Sequence, residues 1–128
     1  MALKIAKFDS SIFTHTIISD TALSGSGGGT ATINIDLTQG DSGNLIGIDL
    51  TNAHGATMYF KLTLTNTAPV VGTSEPDIML PVDGSSSSNW IIPEGIPFTN
   101  LSIWATTSSG TNATVAASAA FSVILITT

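Results

Sequence analysis

The feature that most constrains the fold of this chain is a two-residue alternation of apolar and polar side chains over short stretches. In TATINIDL (30–37) and TMYFKLTLT (57–65), apolar residues occupy every second position, and NLIGIDLT (44–51) places Ile46, Ile48 and Leu50 on one face. This period is typical of β-strands with one buried face. Comparable stretches lie at 2–8, 12–18, 77–80, 89–92, 101–105 and 119–127. The sequence therefore predicts about eight to nine strands.

The connections between these stretches are rich in Gly, Ser, Pro, Asn and Asp. They lie at 23–29, 39–43, 68–76, 83–88 and 108–112, and no stretch combines helical periodicity with capping residues. Many short strands separated by such turns are typical of a two-sheet antiparallel β-sandwich, and we expect one that is jelly-roll-like. A length of 128 residues suits a single domain, here 1–128, with an N-terminal arm at 1–8.

The charge content excludes two classes of partner. Lysine and arginine together number three, all of them lysines, against nine acidic residues, which gives a net charge of −6. A nucleic-acid interface needs a basic face to neutralise phosphates, and docking on anionic lipid needs clustered basic residues. No apolar stretch approaches the length of a membrane span. We therefore expect neither a nucleic-acid partner nor a membrane partner.

Charged residues are only 9% of the chain, whereas soluble proteins average roughly 25%. Charge is depleted at the centre of protein interfaces, so a surface with so few charges is typical of a chain that binds partners. We expect a homo-oligomer, and the alternative is a monomer coated with hydroxyl groups. The chain has no cysteine and no continuous apolar signal-peptide core near its start, which predicts synthesis in a reducing cytoplasm.

Residues suited to catalysis or metal binding are few. His15 lies within a predicted strand and His54 in the predicted turn NAHG, and neither belongs to a motif of fixed spacing. Glu75 and Asp77 flank Pro76 as solvated loop charges, and Asp41 with nearby carbonyls is the one candidate for Ca²⁺. The sequence predicts a non-enzyme without catalytic residues, bound metal or cofactor.

Aromatic residues offer an alternative function in carbohydrate binding, because sugars stack their apolar faces on aromatic rings. Tyr59 and Trp90 are the candidates for such stacking, and Trp90 follows a serine run that favours exposure. Trp104, within LSIWAT, is expected in the core or at a subunit boundary.

The chain from Tyr59 onward resembles a pattern found in small structural proteins of tailed bacteriophages. In YFKLTLTNTAPVVGTSEPDIMLPV, a Tyr–x–Lys–Leu strand precedes a Pro–x–x–Gly–Thr loop and a strand flanked by prolines. In IPEGIPFTNLSIWATTSSGTNATVAA, a Gly–Ile–x–Phe turn precedes a Leu–Ser strand that ends in Ala–Thr–Thr. The matching positions are Tyr59, Lys61, Leu62, Pro69, Gly72, Thr73, Pro76, Pro81, Gly95, Ile96, Phe98, Leu101, Ser102 and 105–107. Where the family often carries acidic residues after Ala–Thr–Thr, this chain reads SSGTNATV, so a role attached to those acids does not carry over.

The resemblance implies a virion component, and it agrees with the charge-poor composition. We expect a capsid decoration (cement) protein, made in the host cytoplasm, that forms a homotrimer on the capsid surface and clamps neighbouring major capsid subunits. The alternative is a virion-surface module that binds carbohydrate or a receptor. The arm at 1–8 and the loop at 23–29 are the expected contact elements. Their expected contact residues are Leu3, Ile5, Phe8, Leu23 and Gly27.

Overall fold

The structure, a computed structural model, describes residues 3–9, 14–23 and 29–128, with only the backbone described for residues 8, 9 and 14. The described residues form eight β-strands and no helix, which confirms the predicted all-β sandwich of two antiparallel sheets. The strands are β1 (Leu3–Asp9), β2 (Thr14–Leu23), β3 (Gly43–Asn52), β4 (Met58–Thr63), β5 (Ile78–Val82), β6 (Ser86–Phe98), β7 (Ser102–Thr106) and β8 (Phe121–Thr127).

The strands are arranged as nested antiparallel pairs. The larger sheet has the order β1-β2-β8-β3-β6, and the smaller sheet has the order β5-β4-β7. β4 pairs with β5, β3 with β6, and β2 with β8, so each pair encloses the previous one along the chain. The first strand, β1, lies outside this nest and pairs with β2 alone.

The hydrophobic core fills the space between the two sheets. Alternate residues of the central strands point into it, including Leu50 of β3, Phe60 of β4 and Phe121 of β8, none of which is exposed to solvent. The rings of Phe60 and Phe121 stack across the core with centroids 6.4 Å apart. Burial of these alternating apolar faces is the main favourable term for such a fold.

The predicted strand at 30–37 is wrong. This segment makes only two isolated bridges, from Thr30 to Val115 and from Asn34 to Ile103 on the free edge of β7. Its buried residues are Ala31, Asn34 and Leu37, a period of three, and Asp36 of this segment has a positive φ of 57°. We call residues 29–37 the edge segment, since it covers the outer edge of β7.

Buried polar contacts hold the edge segment in this irregular path. The Asn34 side-chain amide donates a 2.6 Å hydrogen bond to the Asp20 carboxylate on β2, and neither residue is more than 5% exposed. The buried Asn100 side-chain amide also donates a hydrogen bond to the carboxylate of Asp36, which is exposed. These bonds satisfy polar groups that burial would otherwise penalise, and they replace the ladder of a regular strand.

A bulge changes the predicted inward face of β3. The register with β6 and β8 shifts between Leu45 and Gly47, so the buried residues of this strand include Leu45, while Ile46 is only half-buried. Opposite the bulge, Gly95 of β6 has a φ of 74°, and an added Cβ would lie 2.7 Å from the Asn44 side chain. The prediction of Ile46 as a core residue is therefore replaced by Leu45.

Candidate functional site

The predicted N-terminal arm is a strand of the larger sheet that extends past the smaller one. All seven residues of β1 pair with β2, and Leu3 and Ile5 are the register partners of the buried residues Asp20 and Ile18. Their side chains therefore point to the core side of the sheet. They are nevertheless 39% and 44% exposed, because the facing sheet has three strands against five and leaves β1 uncovered.

A cleft of about 220 Å³ opens beside this overhanging strand, between β1 and β2 on one side and the turn at 37–42 on the other. Three apolar side chains, Ile5, Leu37 and Phe98, contribute to its lining. The remaining lining residues are polar or charged: Lys7, Thr16, Thr38, Gln39, Asp41, Ser42, Thr127 and Thr128. We call this space the β1 cleft.

Hydrogen bonds to the chain before β7 fix the turn wall of the β1 cleft. The Leu37 amide donates to the Leu101 carbonyl, and the Thr38 hydroxyl donates to the Asn100 side-chain oxygen at 2.9 Å. The turn closes through the Asp41 amide, which donates to the Thr38 carbonyl, and through Gln39 with its positive φ of 53°. The wall is thus held by the same Asn100 that binds the edge segment.

The chemistry of the β1 cleft suits the binding of an apolar side chain. An apolar surface rimmed by hydroxyls, one lysine and one aspartate can receive an aliphatic side chain while the rim hydrogen-bonds to the surrounding backbone. The outer edge of β1 lies next to it. A partner strand that adds to this edge can place alternate side chains towards the cleft.

The structure places some of the predicted contact residues at the surface and one in the core. Leu3 and Ile5 are exposed on β1. Phe8 also lies in β1, but its side chain is outside the described part of the chain, and Gly27 is wholly outside it. The placement of Leu23 in a surface loop is wrong, because it ends β2 and is fully buried in the core opposite Phe121. Its side chain therefore has no surface to offer to a partner.

The sequence predicts a connection at 39–43, but sequence reasoning missed the contribution of this turn to the cleft. The stretch TQGDS at 38–42 does carry the turn residues glycine and aspartate, but the partner that holds it, Asn100, is 62 residues away from Thr38. A contact of this range leaves no periodic signal in the sequence.

The aromatic candidates for sugar stacking are not brought together. Trp90 points inwards from β6 as the register partner of Ile48 and packs against the core, while Tyr59 lies on the outer face of the smaller sheet. The two rings are therefore on different sheets and do not form one platform. Trp104 is 1% exposed, which confirms its expected burial.

The groups considered for catalysis are dispersed. The His54 Nδ1 lies 2.9 Å from the Ser118 Oγ at the surface, and His15 lies on β2, on the outer face of the larger sheet. Within the described residues, no group of three or more His, Cys, Asp or Glu side chains is placed to hold a metal ion. Asp41, the calcium candidate, instead lines the β1 cleft.

Lys61 is a lysine buried on the smaller sheet. It is 1% exposed on the outer face of the smaller sheet, where its Nζ donates a 2.9 Å hydrogen bond to the Gly110 carbonyl. Desolvation lowers the pKa of this amine, because burial penalises its charged form. Lys61 thereby attaches the loop at 107–112 to the sheet.

The described part of the chain has no helix of the length and apolarity needed to span a membrane.

Comparison with known sequences and structures identifies no relative. No protein-family model, curated protein sequence or solved structure matches this chain.

Proposed function

We propose that this chain is a virion structural protein of the capsid decoration type, which docks on neighbouring major capsid subunits through β1 and the β1 cleft. The observation that carries the proposal is the pair of apolar side chains, Leu3 and Ile5, left 39% and 44% exposed on a strand that extends past the second sheet. The role is one of binding, and no catalytic step is part of it.

The edges of the two sheets support β1 as the docking element. β5 carries Pro81, β6 carries Pro93 and Pro97 together with its bulge, and β7 is covered by the edge segment. Prolines, bulges and covering segments are the devices that keep a sheet edge from pairing with another chain. Among the described residues, β1 has no proline, bulge or covering segment. Its charged residues are only Lys4, Lys7 and Asp9. Its outer backbone groups are therefore the least protected against strand addition.

The nested strand pairs further support a jelly roll. If the edge segment takes the place of a strand beside β7, four antiparallel pairs enclose one another and distribute their members over two sheets. Jelly rolls are found among viral capsid and lectin domains, so the topology agrees with a virion role by analogy of fold.

The proposed setting is the outer surface of a capsid, reached after synthesis in the host cytoplasm. The threefold arrangement of copies, which follows from the resemblance, stays a prediction. Many weak contacts, repeated over a shell, add to a large total stabilisation, so a single β1 contact need not be strong.

The test is binding to purified shells that lack the protein. We expect Leu3→Asp/Ile5→Asp to lose shell binding, because two carboxylates cannot enter an apolar contact without a large desolvation cost. The matched control is Val70→Asp/Val115→Asp, which places the same charges at two exposed apolar residues distant from β1 in the chain. Cosedimentation with shells gives the binding, and circular dichroism confirms that both variants fold. Equal binding by the two double variants contradicts the proposal.

The carbohydrate alternative has a direct readout in the same preparation. Trp90 is half-buried, so a sugar that stacked on it would change the tryptophan fluorescence. We expect no sugar-dependent change, since the structure separates Trp90 from Tyr59. A saturable change would favour the alternative over decoration.

A further inference from the structure

The outer face of the larger sheet, opposite the core, carries an apolar row that crosses all five strands. Cross-strand register places Ala6, Ile17, Ile126, Gly47 and Ile91 side by side from β1 to β6. Ile17 and Ile126 are half-buried, and Ile91 is 78% exposed. When one face of an antiparallel sheet faces water, the side chains on that face are normally polar. A continuous apolar row on the outer face therefore indicates that this face is covered.

The neighbouring row on the same face carries opposite charges at two positions. Its residues, in the same strand order, are Lys4, Ser19, Ile124, Asp49 and Asn89. Lys4 and Asp49 are both exposed and lie three strands apart, about 14 Å at the usual strand spacing. At that distance they form no ion pair within one chain.

We propose that this outer face binds a second copy of the same chain about a twofold axis. The axis runs parallel to the strands and lies between β2 and β8, in the plane of the interface. This operation places β1 of one copy opposite β3 of the other, and β2 opposite β8. Residues of one row then face residues of the same row, so Lys4 lies opposite Asp49 of the second copy and the reverse pair forms by symmetry.

The apolar row is self-complementary under the same operation. Ile17 faces Ile126 of the second copy, so four isoleucine side chains meet at the centre of the interface. Ala6 faces Gly47 and adds little contact, and Ile91 on β6 lies outside the contact. Two sheets packed in this way approach to about 10 Å.

The size of the face fits a weak dimer. The operation places four strands of each copy opposite one another and leaves β6 unpaired. Four strands and about six residues of length give roughly 400 Å² on each copy, or about 800 Å² in total, the size of a weak, transient interface. The inference does not rest on the proposed function, because the β1 cleft lies on the opposite side of the sheet and stays open in this dimer.

The experiment is charge reversal followed by mass determination with light scattering behind size exclusion. We expect the free wild-type chain to be a dimer at micromolar concentration, which differs from the homotrimer that the sequence predicts on the capsid surface. Lys4→Glu and Asp49→Lys should each weaken dimerisation by roughly tenfold, since each variant places two like-charged pairs across the interface. The double variant Lys4→Glu/Asp49→Lys should restore the dimer, because it exchanges the charges and rebuilds both pairs.

The matched control is Lys7→Glu, which makes the same charge change on β1 but on the opposite face. It should leave the dimer unchanged. A wild-type monomer or trimer, or a double variant no stronger than the single ones, overturns the inference. Leu3→Asp/Ile5→Asp should remain dimeric while losing shell binding, so failure of the dimer and failure of the decoration role are separate results.

Discussion

At the scale of single residues, Thr63 carries a cost that a substitution can remove. Its Oγ1 is buried on the outer face of the smaller sheet, without a hydrogen-bond partner in the described part of the chain. An unsatisfied buried hydroxyl costs about 1–3 kcal/mol. We expect Thr63→Val to raise the free energy of unfolding by about 1 kcal/mol in urea titrations. The control, Thr106→Val, removes an Oγ1 that donates to the Ser108 carbonyl and should lower the free energy of unfolding. A change of the same sign in the free energy of unfolding of both variants would contradict this account.

Lys61, also at the residue scale, predicts a dependence of stability on pH. Because burial lowers its pKa in the folded state, the unfolded chain binds more protons between the lowered and the ordinary pKa. The contribution of Lys61 to the free energy of unfolding therefore rises with pH through that window, and the full cost of burying the charge is present below it. Urea titrations at neutral and alkaline pH should show this rise in the wild type and not in Lys61→Met. Lys7→Met is the control for the removal of an exposed lysine. If the free energy of unfolding changes with pH equally in the wild type and in Lys61→Met, the pH dependence does not come from Lys61.

At the scale of elements, one buried contact ties the edge segment to the larger sheet. Asn34→Ala removes the 2.6 Å hydrogen bond to the Asp20 carboxylate, and hydrogen bonds to charged groups contribute about 1.5–3 kcal/mol. We expect a loss of about 2 kcal/mol and faster hydrogen exchange at the Ile103 amide, which donates to the Asn34 carbonyl. Thr32→Ala, at an exposed neighbour, should change stability by less than about 0.5 kcal/mol. Unchanged exchange at Ile103 in Asn34→Ala would show that other contacts hold the segment.

The same segment shows what the sequence could and could not predict. Alternation located β4 and β8 well, because their apolar residues face one core at every second position. The same alternation at 30–37 predicts a strand that is not formed. There Ile35 is half exposed, and the polar Asn34 is buried against the Asp20 carboxylate of β2. At the candidate site, the sequence predicts Leu3 and Ile5 as contact residues from their place on the arm. The cleft wall depends on Asn100, whose long-range hydrogen bonds have no local pattern.

At the scale of the whole molecule, the nested pairs separate the sandwich from its first strand. The three pairs that enclose the core, together with the edge segment, lie within residues 14–128. β1 adds a single pairing with β2 and two partly exposed apolar side chains. The strand that is least needed for the core is thus the strand proposed to contact the capsid, and it also carries Lys4 of the proposed dimer face.

Deletion of residues 1–9 tests this division of the molecule. We expect the shortened chain to fold and unfold cooperatively, with a loss of about 2 kcal/mol, because Leu3 and Ile5 each bury about half of an aliphatic side chain. Shell binding should be abolished, and dimerisation should weaken since Lys4 is removed. The near-ultraviolet circular dichroism of Trp104, buried in β7 on the smaller sheet, should be retained, and urea titration gives the stability. A shortened chain that does not fold would show that β1 belongs to the structural core, whereas one that folds and still binds shells would remove β1 from the docking surface.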